Sequence, residues 1–460
     1  MLKVLVRLSV MAAAASMVAC QGGAAGNPAI PMTHQASFIR PAAIGEKTVN
    51  WPQYRFDDNH TGFNPHEKIL NKSNAPQLQL LWQGQLGKLV DYSSPAVVNG
   101  VAYLASSDGV LWAYSANGCG QSLCSSPMWQ STQIAQMMDS PTVAGGFVYV
   151  GSQTSFSSNA GKLDVFSAAG CGQSLCPPLW QGVAGTDAIL QSSPTVARGL
   201  VYVGAYDGKL YAFKASGCGQ STCEPVWTGM TGGSIESTAT VANGVLYIGS
   251  DDGKLYAFKA KGCGSSSCAP LWTGTLGYSV FESSPAVVKG IVYIGSQHGV
   301  AAFKAMGCGK STCAPLWRAS DSNDFFNGSP AIANGRVYVG VEDGINVYKA
   351  KGCGKSTCPP IWSGFGVGRQ AAVASSPTVA NGVVYAGRNT GEVLAWPAAG
   401  CGESTCNNIW SGEFNEQIVT SSPTVVNGQL YIGSADDTYP SEISGRLYVF
   451  ALPDLRGRRR

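Results

Sequence analysis

A repeat with a period of 45 to 53 residues runs through most of this 460-residue chain. One unit, residues 192–213, contains three short apolar runs that are separated by Arg198-Gly199 and Asp207-Gly208. These pairs suit tight hairpin turns, because glycine takes a positive φ without steric cost. Four short antiparallel strands per unit, at this period, are typical of a β-propeller blade. Alignment on a Ser-Pro step gives eight units, with the proline position occupied by Pro95, Pro141, Pro194, Ala239, Pro285, Pro330, Pro377 and Pro423.

Eight of the 11 tryptophans give a second count of eight, because they recur at the position expected for a fourth strand. The first of them precedes the first Ser-Pro step, and the last unit ends at Phe450 without a further tryptophan. We therefore predict an all-β, eight-bladed propeller of four-stranded antiparallel blades, in which the strand around Trp82 joins the last blade and closes the ring. The eight tryptophans are Trp82, Trp129, Trp180, Trp227, Trp272, Trp317, Trp362 and Trp410.

Fourteen of the 15 cysteines fall into seven copies of the motif Cys-Gly-x-Ser-x-Cys. Zinc would need four ligands, but each copy offers two thiols and has no histidine beside it. Seven local disulfides in an oxidising compartment are the better interpretation. Each closes a short loop and so contributes about 2 kcal/mol or less. The predicted pairs are Cys119 with Cys124, Cys171 with Cys176, Cys218 with Cys223, Cys263 with Cys268, Cys308 with Cys313, Cys353 with Cys358, and Cys401 with Cys406.

The N-terminus has the features of a bacterial lipoprotein signal. Lys3 and Arg7 precede a short apolar run, and Met17-Val18-Ala19-Cys20 resembles a lipobox. Ordinary signal cleavage nearby is the alternative, but Cys20 is the one cysteine outside the seven motifs, which favours acylation. We predict a signal peptide at 1–19, a flexible tether at 20–48, a single propeller at 49–452 and a basic tail at 453–460. This places the protein outside the cytoplasm, anchored by lipid to the bacterial cell membrane or outer membrane.

The charge of the propeller argues against a nucleic-acid partner. The formal net charge is +3, but it falls to −1 without the four arginines of the tail and to about −3 without Lys3 and Arg7. The body is therefore not basic overall, and a nucleic-acid partner has no support beyond the basic tail.

The repeat resembles that of a known family. The pattern Ser-Ser-Pro-x-Val-x-x-Gly-x-Val-Tyr-x-Gly, then Asp-Gly-x-Leu-Tyr-Ala-Phe, then Leu-Trp is similar to the tryptophan-docking repeat of the pyrroloquinoline quinone (PQQ) propellers. That family includes quinoprotein alcohol dehydrogenases and outer-membrane assembly lipoproteins of the BamB type. Residues 51–64 are similar to the segment that precedes the first blade in such proteins. The resemblance covers residues 50 to 452 and implies the fold more strongly than the function.

The residue two positions before each Ser-Pro serine or its equivalent varies from unit to unit. We expect these eight residues to surround the channel mouth. These residues are Tyr92, Met138, Gln191, Glu236, Glu282, Asn327, Ala374 and Thr420, and Asp91, Asp139, Asp324, Arg369 and Arg388 are expected on the same rim. A solvated loop surface and a ligand site are both compatible with this mixed polar rim.

If the resemblance to quinoprotein dehydrogenases extends to activity, it implies PQQ in the channel, bound Ca²⁺ and a carboxylate base. The catalytic candidates are then Glu236, Glu282 and Asp324, and the metal candidates are Glu236, Glu282 and Asn327. The cofactor-binding candidates are Tyr92, Gln191, Asn327, Arg369 and Arg388.

Several features oppose an enzymatic function. The sequence has no adjacent Cys-Cys pair, no Cys-x-x-Cys-His motif and no long insertions between blades. We therefore expect no cofactor, and we favour a monomeric, non-catalytic envelope lipoprotein that binds a protein, a peptide or a cell-wall component. A PQQ- and Ca²⁺-dependent alcohol or sugar dehydrogenase and a stiff surface spacer are the alternatives.

Overall fold

Eight twisted β-sheets follow one another around a central channel in the computed structural model. The structure describes residues 48–453, except 91, 135, 137–138, 154–160, 186, 190, 320–327, 343, 367–371, 415–419 and 437–443. The predicted signal peptide, Cys20, most of the tether and most of the tail therefore lie outside the described residues. Within the described part of the chain the one helical element is the 3₁₀ turn Ala75–Gln77, and none of its helices has the length and apolar character needed to cross a bilayer.

Each blade has four antiparallel strands, which we number from the channel outward. The innermost strands are Ala96–Val98, Thr142–Ala144, Thr195–Ala197, Thr240–Ala242, Ala286–Val288, Ala331–Ala333, Thr378–Ala380 and Thr424–Val426. The second strands are Val101–Ser106, Phe147–Gln153, Leu200–Gly204, Val245–Ser250, Ile291–Ser296, Arg336–Val341, Val383–Arg388 and Gln429–Asp436. The third strands are Val110–Ser115, Gly161–Ser167, Lys209–Lys214, Lys254–Lys259, Gly299–Lys304, Gly344–Lys349, Glu392–Pro397 and Ser444–Ala451. The outer strands of blades 1 to 7 are Trp129–Ser131, Trp180–Ala184, Trp227–Met230, Trp272–Thr275, Trp317–Ala319, Trp362–Phe365 and Trp410–Glu413.

The ring closes through the outer strand of blade 8, as the tryptophan count predicts. Gln79–Gln85 pairs antiparallel with Ser444–Ala451, and Trp82 lies opposite Val449. The N-terminal part of the propeller therefore completes its last blade, which leaves no free sheet edge at this point.

The prediction of an eight-bladed propeller is confirmed, and each sheet contains one parallel strand in addition to the four predicted antiparallel strands. In seven sheets the fifth strand comes from the disulfide loop of the next blade and pairs in parallel with the outer strand; Ser267–Cys268, for example, lies beside Thr228–Gly229. Each disulfide loop thus joins two blades as well as stiffening its own turn. These cysteine strands are Leu123–Cys124, Leu175–Cys176, Thr222–Cys223, Ser267–Cys268, Thr312–Cys313, Thr357–Cys358 and Thr405–Asn407.

The seven predicted disulfides are all formed. Beside each one, a tryptophan of the preceding blade packs against the glycine that comes before the first cysteine. A Cβ at Gly262 would lie 2.8 Å from Cδ1 of Trp227, and Gly262 has a φ of +78°. Only glycine meets both demands, namely a left-handed backbone and close contact with the indole.

In the described ranges no cysteine strand pairs with the outer strand of blade 7, because the third and outer strands of blade 8 are far apart in sequence and no disulfide loop joins them. The sheet of blade 7 instead has its fifth strand on the channel side, where Phe63–Asn64 pairs in parallel with Val379–Ala380. On the outside, the indole of Trp410 donates to the carbonyl of Leu78 at 3.0 Å, and Leu70, Ala75 and Leu78 are buried in the same apolar cluster. Residues 70–78, which precede the outer strand of blade 8, therefore pack against Trp410 where the other blades have a disulfide loop.

Candidate functional site

A closed ring of hydrogen bonds surrounds the channel at the Ser-Pro steps. The hydroxyl of each blade accepts from the backbone N–H of the equivalent residue in the preceding blade, at 2.8 to 3.1 Å, and the last bond joins Ser422 N–H to Ser94. Buried N–H groups need such partners, so the ring fixes the distance between neighbouring blades. Its members are Ser94, Ser140, Ser193, Thr238, Ser284, Ser329, Ser376 and Ser422.

Residues 51–64 lie across the channel against the innermost strands, and we call this segment the plug. In six of the eight blades, the middle residue of the innermost strand donates its N–H to a carbonyl of the plug, at 2.7 to 3.0 Å. Blades 3 and 8 contact the plug through the side chains of His60 and Asn64. The plug carbonyls that accept are those of Trp51, Pro52, Asp58, Asn59, Thr61 and Gly62.

Tyr54 connects the plug to the hydroxyl ring. Its hydroxyl lies 3.1 Å from Oγ of Ser329 and 2.8 Å from Oγ of Ser376. The phenol thereby occupies space at the level of the ring on the side of blades 6 and 7.

Arg55 is buried, and its Nη1 donates to the carbonyl of Pro377 at 2.6 Å. In five blades a threonine at the start of the innermost strand donates to the equivalent carbonyl of the next blade, as Thr378 does to Pro423. Blade 6 has Ala331 at that position, so Arg55 satisfies a carbonyl that the repeat leaves unpaired. Burial lowers the pKa of Arg55 to about 10.

His60 is also buried within the plug. Burial and the nearby Arg55 charge lower its pKa to about 3, so the imidazole is neutral at physiological pH. Its Nε2 lies 3.4 Å from Oγ1 of Thr195. This histidine therefore packs against blade 3 without carrying charge into the channel.

Above the plug, the channel opens into a cavity of about 30 Å³. Tyr54 lines it from below, together with the ring residues Ser193, Ser376 and Ser422 and with Gly328. Five of the predicted mouth residues line the same cavity: Tyr92, Gln191, Glu282, Ala374 and Thr420. The structure thus brings together residues that are far apart in the sequence.

Three mouth residues have strained backbone conformations. The φ angles of Tyr92, Gln191 and Glu282 are +54°, +66° and +57°, a region that costs bulky residues of order 1 kcal/mol or more. Strain of this kind concentrates at binding sites, where the surrounding structure maintains it. Tyr92 is further held by its N–H, which donates to Oγ1 of Thr420 at 3.0 Å.

Glu236 is buried beside the mouth and does not line the cavity. Burial raises its pKa to about 7; the bond from Tyr206 opposes this rise, and the charge of Asp251 adds to it. Glu236 therefore changes its charge near neutral pH. Among the described residues, no group of three or more His, Cys, Asp or Glu side chains is arranged to hold a metal ion.

The other predicted rim residues differ in their environment. Asp139 is buried at a position where six other blades have serine, and its Oδ2 accepts from the Gly151 N–H at 2.7 Å. Burial raises its pKa well above the usual value. Arg388 is buried and forms an ion pair with Glu392 at 2.8 Å, so it supports blade 7. Met138, Asp91, Asp324, Asn327 and Arg369 lie outside the described residues.

Sequence reasoning missed the plug and the hydroxyl ring. The column of Ser or Thr before the proline was visible in all eight repeats, and it could have indicated a ring of equivalent contacts. Tyr54, Arg55 and His60 gave no comparable signal, because they occur once and outside the repeat.

Comparison with known proteins agrees with the fold. Residues 72–262, less than half of the chain, match the family described as "Outer membrane protein assembly factor BamB". No curated protein matches the sequence.

Solved structures with the same fold include two kinds of protein. BamB from Moraxella catarrhalis is 16% identical with a TM-score of 0.59, and the alignment covers 82% of this chain and 98% of that one. The quinohemoprotein alcohol dehydrogenase from Comamonas testosteroni is 14% identical with a TM-score of 0.64, and the alignment covers 88% of this chain and 80% of the enzyme. At such identities the likeness shows the fold alone. The chain is therefore an eight-bladed β-propeller, and residues 72–262 are similar to the PQQ-type repeat of the BamB family.

Proposed function

We propose that the chain is a non-catalytic extracytoplasmic lipoprotein whose channel mouth binds a protein, a peptide or another component of the cell envelope. The observation that carries this proposal is the plug. The chain's own residues 51–64 occupy the channel and are hydrogen-bonded to the innermost strands of most blades. A stable plug leaves the mouth as the concave surface on which a partner can lie.

The size of the cavity supports a binding function without a cofactor. A pocket for a ligand the size of a drug molecule typically encloses about 300–1,000 Å³, whereas this cavity encloses about 30 Å³. Tyr54, whose hydroxyl contacts Ser329 and Ser376, forms part of the wall of this cavity. We therefore propose that neither PQQ nor Ca²⁺ is needed for function.

The strained mouth residues support a protein or peptide as the partner. Tyr92 and Gln191 offer an aromatic ring and an amide at the rim, and Glu282 adds a carboxylate. Aromatic side chains with polar groups around them are typical of protein interfaces. The resemblance of residues 17–20 to a lipobox and the likeness of residues 72–262 to an outer membrane assembly factor support a partner within the envelope.

Site-specific photo-crosslinking in the intact cell tests the proposal. A photoreactive phenylalanine analogue at Tyr92 preserves an aromatic side chain at the mouth. The same analogue at Leu179, which is 52% exposed on the outer rim, serves as the matched control. We expect a discrete adduct from position 92 that position 179 does not give. The absence of any adduct, or the same adducts from both positions, would favour a structural spacer.

A further inference from the structure

The face of the propeller that carries the disulfide loops has a strongly uneven charge. Third strands end on this face, and in blades 3 to 6 each ends in an exposed lysine, whereas Ser115, Ser167 and Pro397 end the third strands of blades 1, 2 and 7. Four more exposed lysines lie in the loops that follow in blades 4 to 6. We call these eight residues the lysine sector: Lys214, Lys259, Lys261, Lys304, Lys310, Lys349, Lys351 and Lys355.

Almost nothing neutralises the lysine sector. Glu224 is the one carboxylate in the loops between third and outer strands of blades 3 to 6. None of the ion pairs among the described residues involves a sector lysine. The mouth face, by contrast, carries the carboxylates of Glu236, Asp251 and Glu282. Two lysines near that face, Lys209 and Lys254, are paired with Asp207 and Asp252, so the sector differs from the mouth face in that its lysines have no such ion pairs within the described residues.

Apolar side chains lie among the sector lysines. Met306 is 85% exposed, and Val226, Leu271, Leu316 and Ile361, each just before a tryptophan, are 37 to 44% exposed. Lysines mixed with exposed apolar side chains are the composition that binds the interface of an anionic bilayer. Equivalent groups repeated from blade to blade suit an extended surface, which offers the same headgroups at every position.

The N-terminal end of the described chain lies on this same face. Val49 N–H donates to Oδ1 of Asn427 at 2.9 Å, and Asn99 N–H donates to Oδ1 of Asn50 at 3.0 Å. Asn99 and Asn427 belong to turns between innermost and second strands. Those turns lie beside the disulfide loops, as the bond from Ala116 N–H to the Gly100 carbonyl shows. Residues 49 and 50 therefore lie on the same face as the lysine sector, at blades 8 and 1.

We infer that the lysine sector docks the propeller onto the anionic phospholipid headgroups of the membrane. The disulfide face then lies toward the bilayer and the mouth points away from it. This inference goes beyond the proposed function, and it holds whether or not the mouth binds a partner.

Vesicle binding tests the inference without the acyl chain. The parent protein is residues 21–460 with Arg456, Arg458, Arg459 and Arg460 changed to Gln, so that the basic tail makes no contribution. The sector variant adds Lys214→Gln, Lys259→Gln, Lys304→Gln and Lys349→Gln. The matched control adds Lys88→Gln, Lys162→Gln, Lys209→Gln and Lys254→Gln, which remove the same charge on or near the mouth face. Thermal unfolding of all three proteins checks that they are folded.

Sedimentation with vesicles of equal parts phosphatidylglycerol and phosphatidylcholine gives the readout, with vesicles of phosphatidylcholine alone as the neutral reference. We expect the parent to bind the anionic vesicles, to release them as salt rises, and to ignore the neutral ones. The sector variant should bind on the order of a hundredfold more weakly, and the control should bind like the parent. The inference is overturned if the parent does not bind anionic vesicles, binds neutral ones equally well, or is weakened equally by both sets of substitutions.

Discussion

The hydroxyl ring and the plug both hold the centre of the propeller together, but they are specified in opposite ways. The ring repeats one contact eight times, from Ser94 to Ser422. The plug makes each of its contacts once, and Arg55 and His60 are buried where no repeat provides a substitute. If one ring contact is lost, seven equivalent contacts remain. If a plug side chain such as Arg55 is lost, no equivalent residue replaces its buried contacts. Substitutions in the plug should therefore cost more stability than substitutions in the ring.

Arg55→Ala should have the largest effect. It leaves the Pro377 carbonyl without a donor and opens a buried space, and these losses outweigh the relief of burying a charge. We expect the free energy of unfolding to fall by about 3 kcal/mol, as measured by denaturant titration. Adding Ala331→Thr should restore about 1 kcal/mol, because threonine at this position bonds the equivalent carbonyl in five other blades. Failure of the threonine to restore any stability would contradict the role given to Arg55.

Glu236→Gln tests how a buried carboxyl group at the mouth affects the pH dependence of stability. The folded state holds the proton of Glu236 up to a pKa of about 7, against an ordinary value of 4.5. The stability contributed by the group is therefore fully present below pH 4.5 and is lost as the pH rises through 7. Glutamine stays neutral, so the variant should gain about 2 kcal/mol over the parent at pH 8 and nothing at pH 4. A difference that is independent of pH in unfolding titrations would contradict this explanation.

Removal of one disulfide should cost about 2 kcal/mol or less, because the closed loop is short and six similar seams remain. The variant combines Cys263→Ala with Cys268→Ala. Since Cys268 also belongs to the strand beside Gly229, hydrogen exchange should rise in the outer strand of blade 3 as well as in blade 4. Faster exchange restricted to blade 4 would show that the loop does not join the two blades.

Ser284→Ala should have the smallest effect, about 1 kcal/mol, because one ring N–H loses its acceptor. Ser329→Ala should cost more, since Ser329 also bonds the plug through Tyr54. Thermal or denaturant unfolding of the two variants compares them directly. If the two variants lose equal free energies of unfolding, the contact between Ser329 and Tyr54 contributes no stability beyond that of the ring.

Regular features were predictable from the sequence because each occurs many times. The eight blades, the seven disulfides and the closure by the strand around Trp82 all follow from positions that recur at one period. The cysteine strands were missed because each is two or three residues long and pairs with a different blade. The plug was missed because its conformation depends on carbonyl contacts to six innermost strands, which no local pattern in residues 51–64 encodes.

The sequence predicted where the candidate site lies, but it did not predict which residues form its walls and which are buried behind them. Five of the eight residues that lie two positions before a Ser-Pro serine or its equivalent line one cavity. Nothing in the sequence indicated that Tyr54 would form part of its lower wall or that Glu236 would be buried away from it, since both depend on how the plug and the blades pack in three dimensions.

We propose that the plug keeps the channel closed to a cofactor. Titration of the propeller, from residue 48 onward, with PQQ and Ca²⁺ tests it most directly, with cofactor absorbance and thermal stability followed together. We predict no saturable change in absorbance and no gain in stability. Saturable binding accompanied by stabilisation, as linkage requires for a ligand of the native state, and followed by oxidation of an alcohol, would contradict the account and identify the protein as a quinoprotein dehydrogenase.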